Sequence, residues 1–197
     1  MVKSRIFLAG VGGQGTLTAT NLLALLALDK NIAVTSGEIH GMAQRGGIVE
    51  STILLGGYMS PKIGPAEADI LLGFEPLETL RALPYLKPGG LLVSNTDPTM
   101  PVAVSLGQES YPDIELIRST CLQCTDRAHF LPCRSLASRA GAVQSANMVL
   151  LGAFSGLQGS FYDLSELQDA VQAYLPKKIV TLNLEASRLG NASVSAA

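Results

Sequence analysis

Three stretches of this chain carry residues whose types and spacing can do chemistry. The first, Gly10-Val11-Gly12-Gly13-Gln14-Gly15, matches G-x-G-x-x-G through Gly10, Gly12 and Gly15. Glycines there let the backbone turn tightly and let a ligand or second chain approach, while N–H groups opening the next helix favour negative charge. One helix end contributes only about 0.3–1 kcal/mol, enough to orient an anion but not to bind one unaided. The second stretch is Glu38-Ile39-His40-Gly41-Met42-Ala43-Gln44-Arg45-Gly46-Gly47. Arg45 can clamp a carboxylate or phosphate with two parallel hydrogen bonds, and His40 can donate another. Each stretch also has a structural alternative: a sharp connection packed on a neighbouring chain, or an exposed loop with a solvated arginine.

The third is Cys121-Leu122-Gln123-Cys124. A structural zinc site needs further ligands at matching spacing, and only His129 and Cys133 lie nearby. A four-cysteine iron–sulfur cluster cannot be made from three. A redox pair sits at a helix N-terminus, whereas this pair falls late in its segment, so packing is the better reading. No Ser-His-Asp or Cys-His arrangement can be placed, and no residue is assigned a covalent, acid–base or metal-ligating role. Asn147, on an otherwise apolar helical face, reads as a buried hydrogen-bonding device.

The elements that must hold these residues follow from periodicity. Arg5 to Ala9 is a short apolar strand, followed by the glycine turn and a helix from Thr16 to Asp29, apolar nearly all round. Ile32 to Thr35 is a second strand, which places the polar stretch from Ser36 to Gly47 at the carboxyl edge of a sheet, where open α/β folds bind ligands. Ile48 to Leu55 leads through Gly56-Gly57 into Tyr58 to Ile63, the pattern of a hairpin whose second arm, with Pro61, belongs at a sheet edge. Asp69 to Phe74 and Leu91 to Ser94 are strands around a helix opened by Glu75-Pro76, with Leu77, Leu80 and Leu83 inward. Thr96 to Pro112 is loop, Ile114 to Cys124 helix, and His129 to Cys133 a last strand. Helical spacing returns from Val143 to Phe154, after an Asp163/Glu166 capping pair, and over Leu182, Ala186 and Leu189, ending at Gly190.

The result is an α/β fold, Rossmann-like, with a mostly parallel sheet, helices on both faces and a β-hairpin at an edge. One domain covers residues 1–190, and residues 191–197 form a flexible C-terminal tail.

Composition narrows the partners. Only 15% of the 197 residues are charged against 47% hydrophobic, which implies that another subunit covers part of the surface. A net charge of −2 without basic blocks argues against nucleic acid. The run from Leu22 to Leu28 falls far short of the ~20 residues a membrane span needs, and no signal peptide is evident. Three cysteines suit a reducing cytoplasm.

In order, these pieces resemble the gamma-type subunit of 2-oxoacid:ferredoxin oxidoreductases, closest in pattern to the beta subunit of the indolepyruvate branch. The likeness is carried by Gly10 to Gly15, by Glu38 to Gly47, by Ala68-Asp69-Ile70-Leu71-Leu72-Gly73-Phe74-Glu75-Pro76-Leu77-Glu78-Thr79, by Ala146 to Ala153 and by Asn183 to Ala186. It implies a complex that oxidatively decarboxylates a 2-oxoacid to an acyl-CoA and passes electrons to ferredoxin, the isolated chain being inactive. It further implies that thiamine diphosphate, Mg and the iron–sulfur clusters sit on a thiamine-binding catalytic subunit, with no cofactor on this chain. CoA is then a co-substrate, whose entrance this chain helps to form. On that basis Gly10, Gly12, Gly13, Gln14, Gly15, Glu38, His40, Gln44, Arg45 and Gly46 are the expected ligand- or partner-binding residues. A stand-alone NAD(P)-binding Rossmann protein is the alternative. It is weakened because no acidic residue stands about 20 residues after the turn to hold a ribose; Glu38 comes later.

Overall fold

The computed structural model describes residues 2–40, 47–100, 104, 106–108 and 110–195. Strands β1 (Ser4–Val11), β2 (Val34–His40), β3 (Ile48–Leu55), β4 (Ala68–Gly73), β5 (Leu86–Asn95) and β6 (Ala128–Leu131) form one sheet in the order β2-β3-β1-β4-β5-β6. β1, β4, β5 and β6 are mutually parallel, while β3 runs antiparallel to both β1 and β2. The expected mixed α/β sheet with a hairpin at one edge is therefore present.

Alternation along β1 explains its central place. Ile6 and Leu8 enter one core with helices α1 (Thr16–Asp29), α5 (Ala146–Ser155), α6 (Leu164–Tyr174) and α7 (Lys177–Ser195). Phe7 and Ala9 enter the other with α2 (Pro76–Ala82) and α3 (Ile114–Cys124). A strand buried on both faces reads as a continuous apolar run, which is what Ile6-Phe7-Leu8-Ala9 is. Helix α4 (Cys133–Arg139), between β6 and α5, has no counterpart in the sequence reading.

The hairpin is not the one expected. β3 pairs with β2 through a connection over residues 41–47, and Tyr58 to Ile63 is not a strand. With β1 and β2 on its two sides, β3 has no free edge for another arm. The segment instead lies across β2 and β3: Thr35 Oγ1 donates to the Tyr58 carbonyl (2.6 Å) and Thr52 Oγ1 to the Pro61 carbonyl (2.7 Å).

Other corrections are smaller. The buried residues of α2 are Pro76, Glu78, Thr79 and Ala82, whereas Leu77 and Leu80 are only half-buried. Thr79 faces inward because its Oγ1 is held by the Glu75 carbonyl (2.8 Å) and by Ser94 Oγ (2.9 Å). Asp163 and Glu166 form the expected capping box, each accepting the other's backbone N–H. Gly190 does not end the last helix. α7 continues to Ser195, and Gly190 lies buried inside it against α5.

Candidate functional site

The glycine turn sits where β1 delivers the chain to α1. Gly15 is the helix N-cap with φ 77°, and Gly13 has φ 98°, so both adopt the left-handed conformation that favours glycine. Gly10 lies within β1, not in the turn. A Cβ there would stand 2.9 Å from both Phe74 Cβ and Thr16 Oγ1, so close packing is what this glycine permits. A Cβ on Gly15 would meet Asn147 Nδ2 at 2.5 Å, so the third glycine makes room for α5 rather than for its own strand. Asn147 is the hydrogen-bonding device expected of it: Nδ2 donates to the Gly15 carbonyl (3.2 Å).

Gln14 folds back over the turn. Its Oε1 accepts from the Val11 N–H (3.0 Å), and its Nε2 donates to Thr99 Oγ1 (3.1 Å). Beside it opens a cavity of about 260 Å³ at the carboxyl ends of β1, β4 and β5. Gly12, Gly13 and Gln14 form one wall; Asn95, Thr99, Arg134, Gln144 and Asn147 supply the other polar groups. Neither α1 nor α5 has a side-chain cap or an acidic residue in its first turn. Asp97 is committed elsewhere, accepting from the N–H groups of Arg134 (2.8 Å) and Ser135 (3.1 Å) at the start of α4. The site thus offers donors and one guanidinium, a donor set suited to an anionic or phosphate-bearing group.

Asn95 is the structural centre of this edge. It donates through Nδ2 to the carbonyls of Phe74 and Asp97 (both 3.0 Å) and accepts through Oδ1 from the N–H groups of Asp97 and Cys133 (both 3.0 Å). Next to it the buried Glu75 caps α2. Its Oε2 takes the Glu78 N–H (3.0 Å), and its Oε1 takes the Thr99 N–H (3.2 Å) and the Tyr111 hydroxyl (2.5 Å). Burial first, then the bond to Glu75, pushes the Tyr111 phenol well above its ordinary range. Burial likewise raises the Glu78 carboxyl against the opposing pull of Arg81, 2.7 Å away.

Of the residues singled out from sequence, Gly12, Gly13 and Gln14 line the cavity and Gly15 abuts it. The two motifs do converge on one edge, since the Gly12 N–H donates to the Gly47 carbonyl (2.9 Å). Glu38 and His40 lie in strand β2, not in a loop, in register with Ser51 and Val49 of β3. β3 stands between them and β1, so Glu38 is two strand spacings, about 10 Å, from the strand that ends in the turn. Gln44, Arg45 and Gly46 lie outside the described residues. Sequence reasoning missed Asn95, Thr99 and Arg134. The available signal was Asn95-Thr96-Asp97, a polar cluster directly after a buried parallel strand, where ligands collect in such sheets.

Among the described residues no three His, Cys, Asp or Glu side chains come together as a metal site. Cys121 and Cys133 belong to separate cores on opposite faces of the sheet, so the three cysteines do not fit a shared cluster. Burial pushes the Cys121 thiol up to about 11 and raises Cys133 further, whereas Cys124 is exposed. Alkylation of the folded chain with iodoacetamide at neutral pH should therefore modify Cys124 alone, with the other two reacting only after denaturation. Mass spectrometry showing rapid modification of Cys133 would contradict this packing.

Residues 5–193 match the family described as pyruvate ferredoxin/flavodoxin oxidoreductase. Indolepyruvate oxidoreductase subunit IorB of Pyrococcus horikoshii is 39% identical over 196 residues, covering 96% of this chain and 95% of that one. IorB of Archaeoglobus fulgidus is 33% identical over 189 residues, covering 96% and 94%. Among solved structures, the gamma subunit of a keto/oxoacid ferredoxin oxidoreductase from Geobacter sulfurreducens superposes with a TM-score of 0.71 at 23% identity, covering 98% of this chain and 99% of that one. A 2-oxoglutarate:ferredoxin oxidoreductase chain from Magnetococcus marinus gives 0.73 at 19% identity, with all of this chain matching 32% of that one. The match thus runs along nearly the whole length, and the chain belongs to the pyruvate ferredoxin/flavodoxin oxidoreductase family.

Proposed function

We propose that this chain is the subunit without redox cofactors of a thiamine-dependent 2-oxoacid:ferredoxin oxidoreductase. It packs on the thiamine-binding catalytic subunit in the cytoplasm and helps to form the entrance for CoA and an aryl 2-oxoacid such as indolepyruvate. The carrying observation is the polar cavity at the carboxyl edge, lined by the glycine turn, Arg134, Gln144 and Asn147 and held in shape by Asn95. At about 260 Å³ it is smaller than the ~300–1,000 Å³ of pockets that enclose a whole ligand, so it receives a phosphate-bearing part of CoA while the partner holds the rest. Exposed apolar side chains stand on the elements that end or begin at this edge: Leu17 in the first turn of α1, Ile39 near the end of β2, Ile48 at the start of β3, Met100 after Thr99, and Val143 in the cavity lining. Exposed aliphatic side chains of this kind suit burial against another chain.

The nicotinamide alternative fits this arrangement less well. In dinucleotide-binding folds the strand that follows the first helix lies beside β1 and brings the ribose acid, but here the antiparallel β3 takes the place beside β1 opposite β4, and β2 lies one strand further out.

The decisive experiment is reconstitution. The chain alone should show no turnover. Adding it to the thiamine-containing subunit should give indolepyruvate- and CoA-dependent reduction of ferredoxin or a viologen dye. Equal activity from the catalytic subunit without this chain would refute the proposal, as would micromolar NAD binding to the chain by calorimetry.

A further inference from the structure

Glu75 lies outside the glycine turn, yet a continuous line of hydrogen bonds runs from its carboxylate to that turn. Thr99 N–H donates to Glu75 Oε1, Gln14 Nε2 donates to Thr99 Oγ1, and the Val11 N–H donates to Gln14 Oε1. Glu75 is 1% exposed, and no cation among the described residues pairs with it. A buried carboxylate without a counter-charge is costly, and where one is retained its oxygens must be filled by fixed donors. Here those donors come from three places: Glu78 in α2, Thr99 at the cavity, and Tyr111 ahead of α3. The same Tyr111 hydroxyl accepts the Leu77 N–H (3.1 Å), so one carboxylate ties α2 to both ends of the segment that follows β5.

We propose that Glu75 is a positioning residue for the ligand-facing turn: through Thr99 and Gln14 it fixes Gly12 to Gln14 in the shape that forms the cavity wall. Gln14 transmits this because both ends of its amide are engaged, one on the turn's own backbone and one on Thr99. The importance of that shape for CoA rests on the reading of the cavity given above; the mechanical link does not.

Three variants test it in the full chain and in the reconstituted complex. Glu75→Gln replaces an accepting oxygen with a donor: at Oε1 this strands the Thr99 N–H and the Tyr111 hydroxyl, at Oε2 the Glu78 N–H, and in either orientation the charge that strengthens the Thr99 bond is lost. Thr99→Val leaves the Thr99 N–H on Glu75 and cuts only the link to Gln14. Tyr111→Phe removes the arm that does not lead to the turn. Amide exchange in the full chain should accelerate about tenfold at Val11 in Glu75→Gln and Thr99→Val, with mid-sheet amides such as Ile53 unchanged and Tyr111→Phe having little effect at Val11. The double variant should exchange no faster at Val11 than either single one, because both cut the same line. In the complex, Glu75→Gln should raise KM for CoA about tenfold with kcat within twofold. Unchanged Val11 exchange in Thr99→Val, which leaves the carboxylate site intact, overturns the proposal even if Glu75→Gln fails to fold. So does equal acceleration by Tyr111→Phe, which would mark general loosening. Faster exchange with an unchanged KM for CoA would uphold the positioning role and refute the CoA reading instead.

Discussion

Gly190→Ala is expected to destabilise the protein by about 3 kcal/mol or more, lowering Tm by roughly 6–12 °C. In an exposed helix the same change would stabilise by up to about 1 kcal/mol, so the sign alone is diagnostic. A Cβ at this position would stand 1.9 Å from the Val149 carbonyl oxygen, 2.8 Å from its carbon and 3.0 Å from Ala153 N. All three are backbone atoms of α5, so no rotamer change relieves the overlap and one helix must move. Gly152 makes the reciprocal approach, its missing Cβ lying 2.0 Å from the Ser187 carbonyl oxygen, and Gly152→Ala should behave alike. Thermal unfolding of the two variants measures this. An unchanged or raised Tm would show that α5 and α7 do not cross backbone to backbone.

Asn95→Ala is the second change expected to be severe, with a loss of about 3 kcal/mol in chemical denaturation. The side chain is 3% exposed and uses both its donors and both its acceptor positions. Truncation strands the Phe74 carbonyl and the Cys133 N–H, each an unpaired buried group costing about 1–3 kcal/mol. It also frees the start of α4, which carries Arg134 to the cavity, so the variant should lose catalytic efficiency in the complex beyond its loss of stability. Asn95→Asp should be no milder, because a second acceptor would then face the carbonyls of Phe74 and Asp97. A loss below about 1 kcal/mol in Asn95→Ala would mean that the amide does not hold this edge together.

What the sequence revealed and what it concealed divide along physical lines. Strands buried on both faces, helices with a 3.6-residue period and the Asp163/Glu166 capping box are local, and they were legible. The partner of β3 was not, because Gly56-Gly57 is a good hairpin signal whose outcome depends on which edges are already filled. Gly190 misled for a related reason: glycine both ends helices and lets helices touch, and only the neighbour decides which. At the site, the glycine turn announced itself through spacing. Asn95, Thr99 and Glu75 act through partners 21 to 85 positions away, from Phe74 on Asn95 to Gln14 on Thr99, separations at which no short motif forms. The meeting of Gly12 with Gly47 was legible from topology, as both follow strands expected to end on one side of the sheet.

Strand β2 forms the outer margin of the sheet, bonded on one side to β3 and, among the described residues, to no strand on the other. Near its end Ile39 is 69% exposed. An open strand margin beside a bare aliphatic side chain is a ready template for self-association. If the chain packs on a catalytic subunit as proposed, cells would do best to make the two in step, and recombinant preparations should stay clearer, and precipitate less on concentration, when both are expressed together.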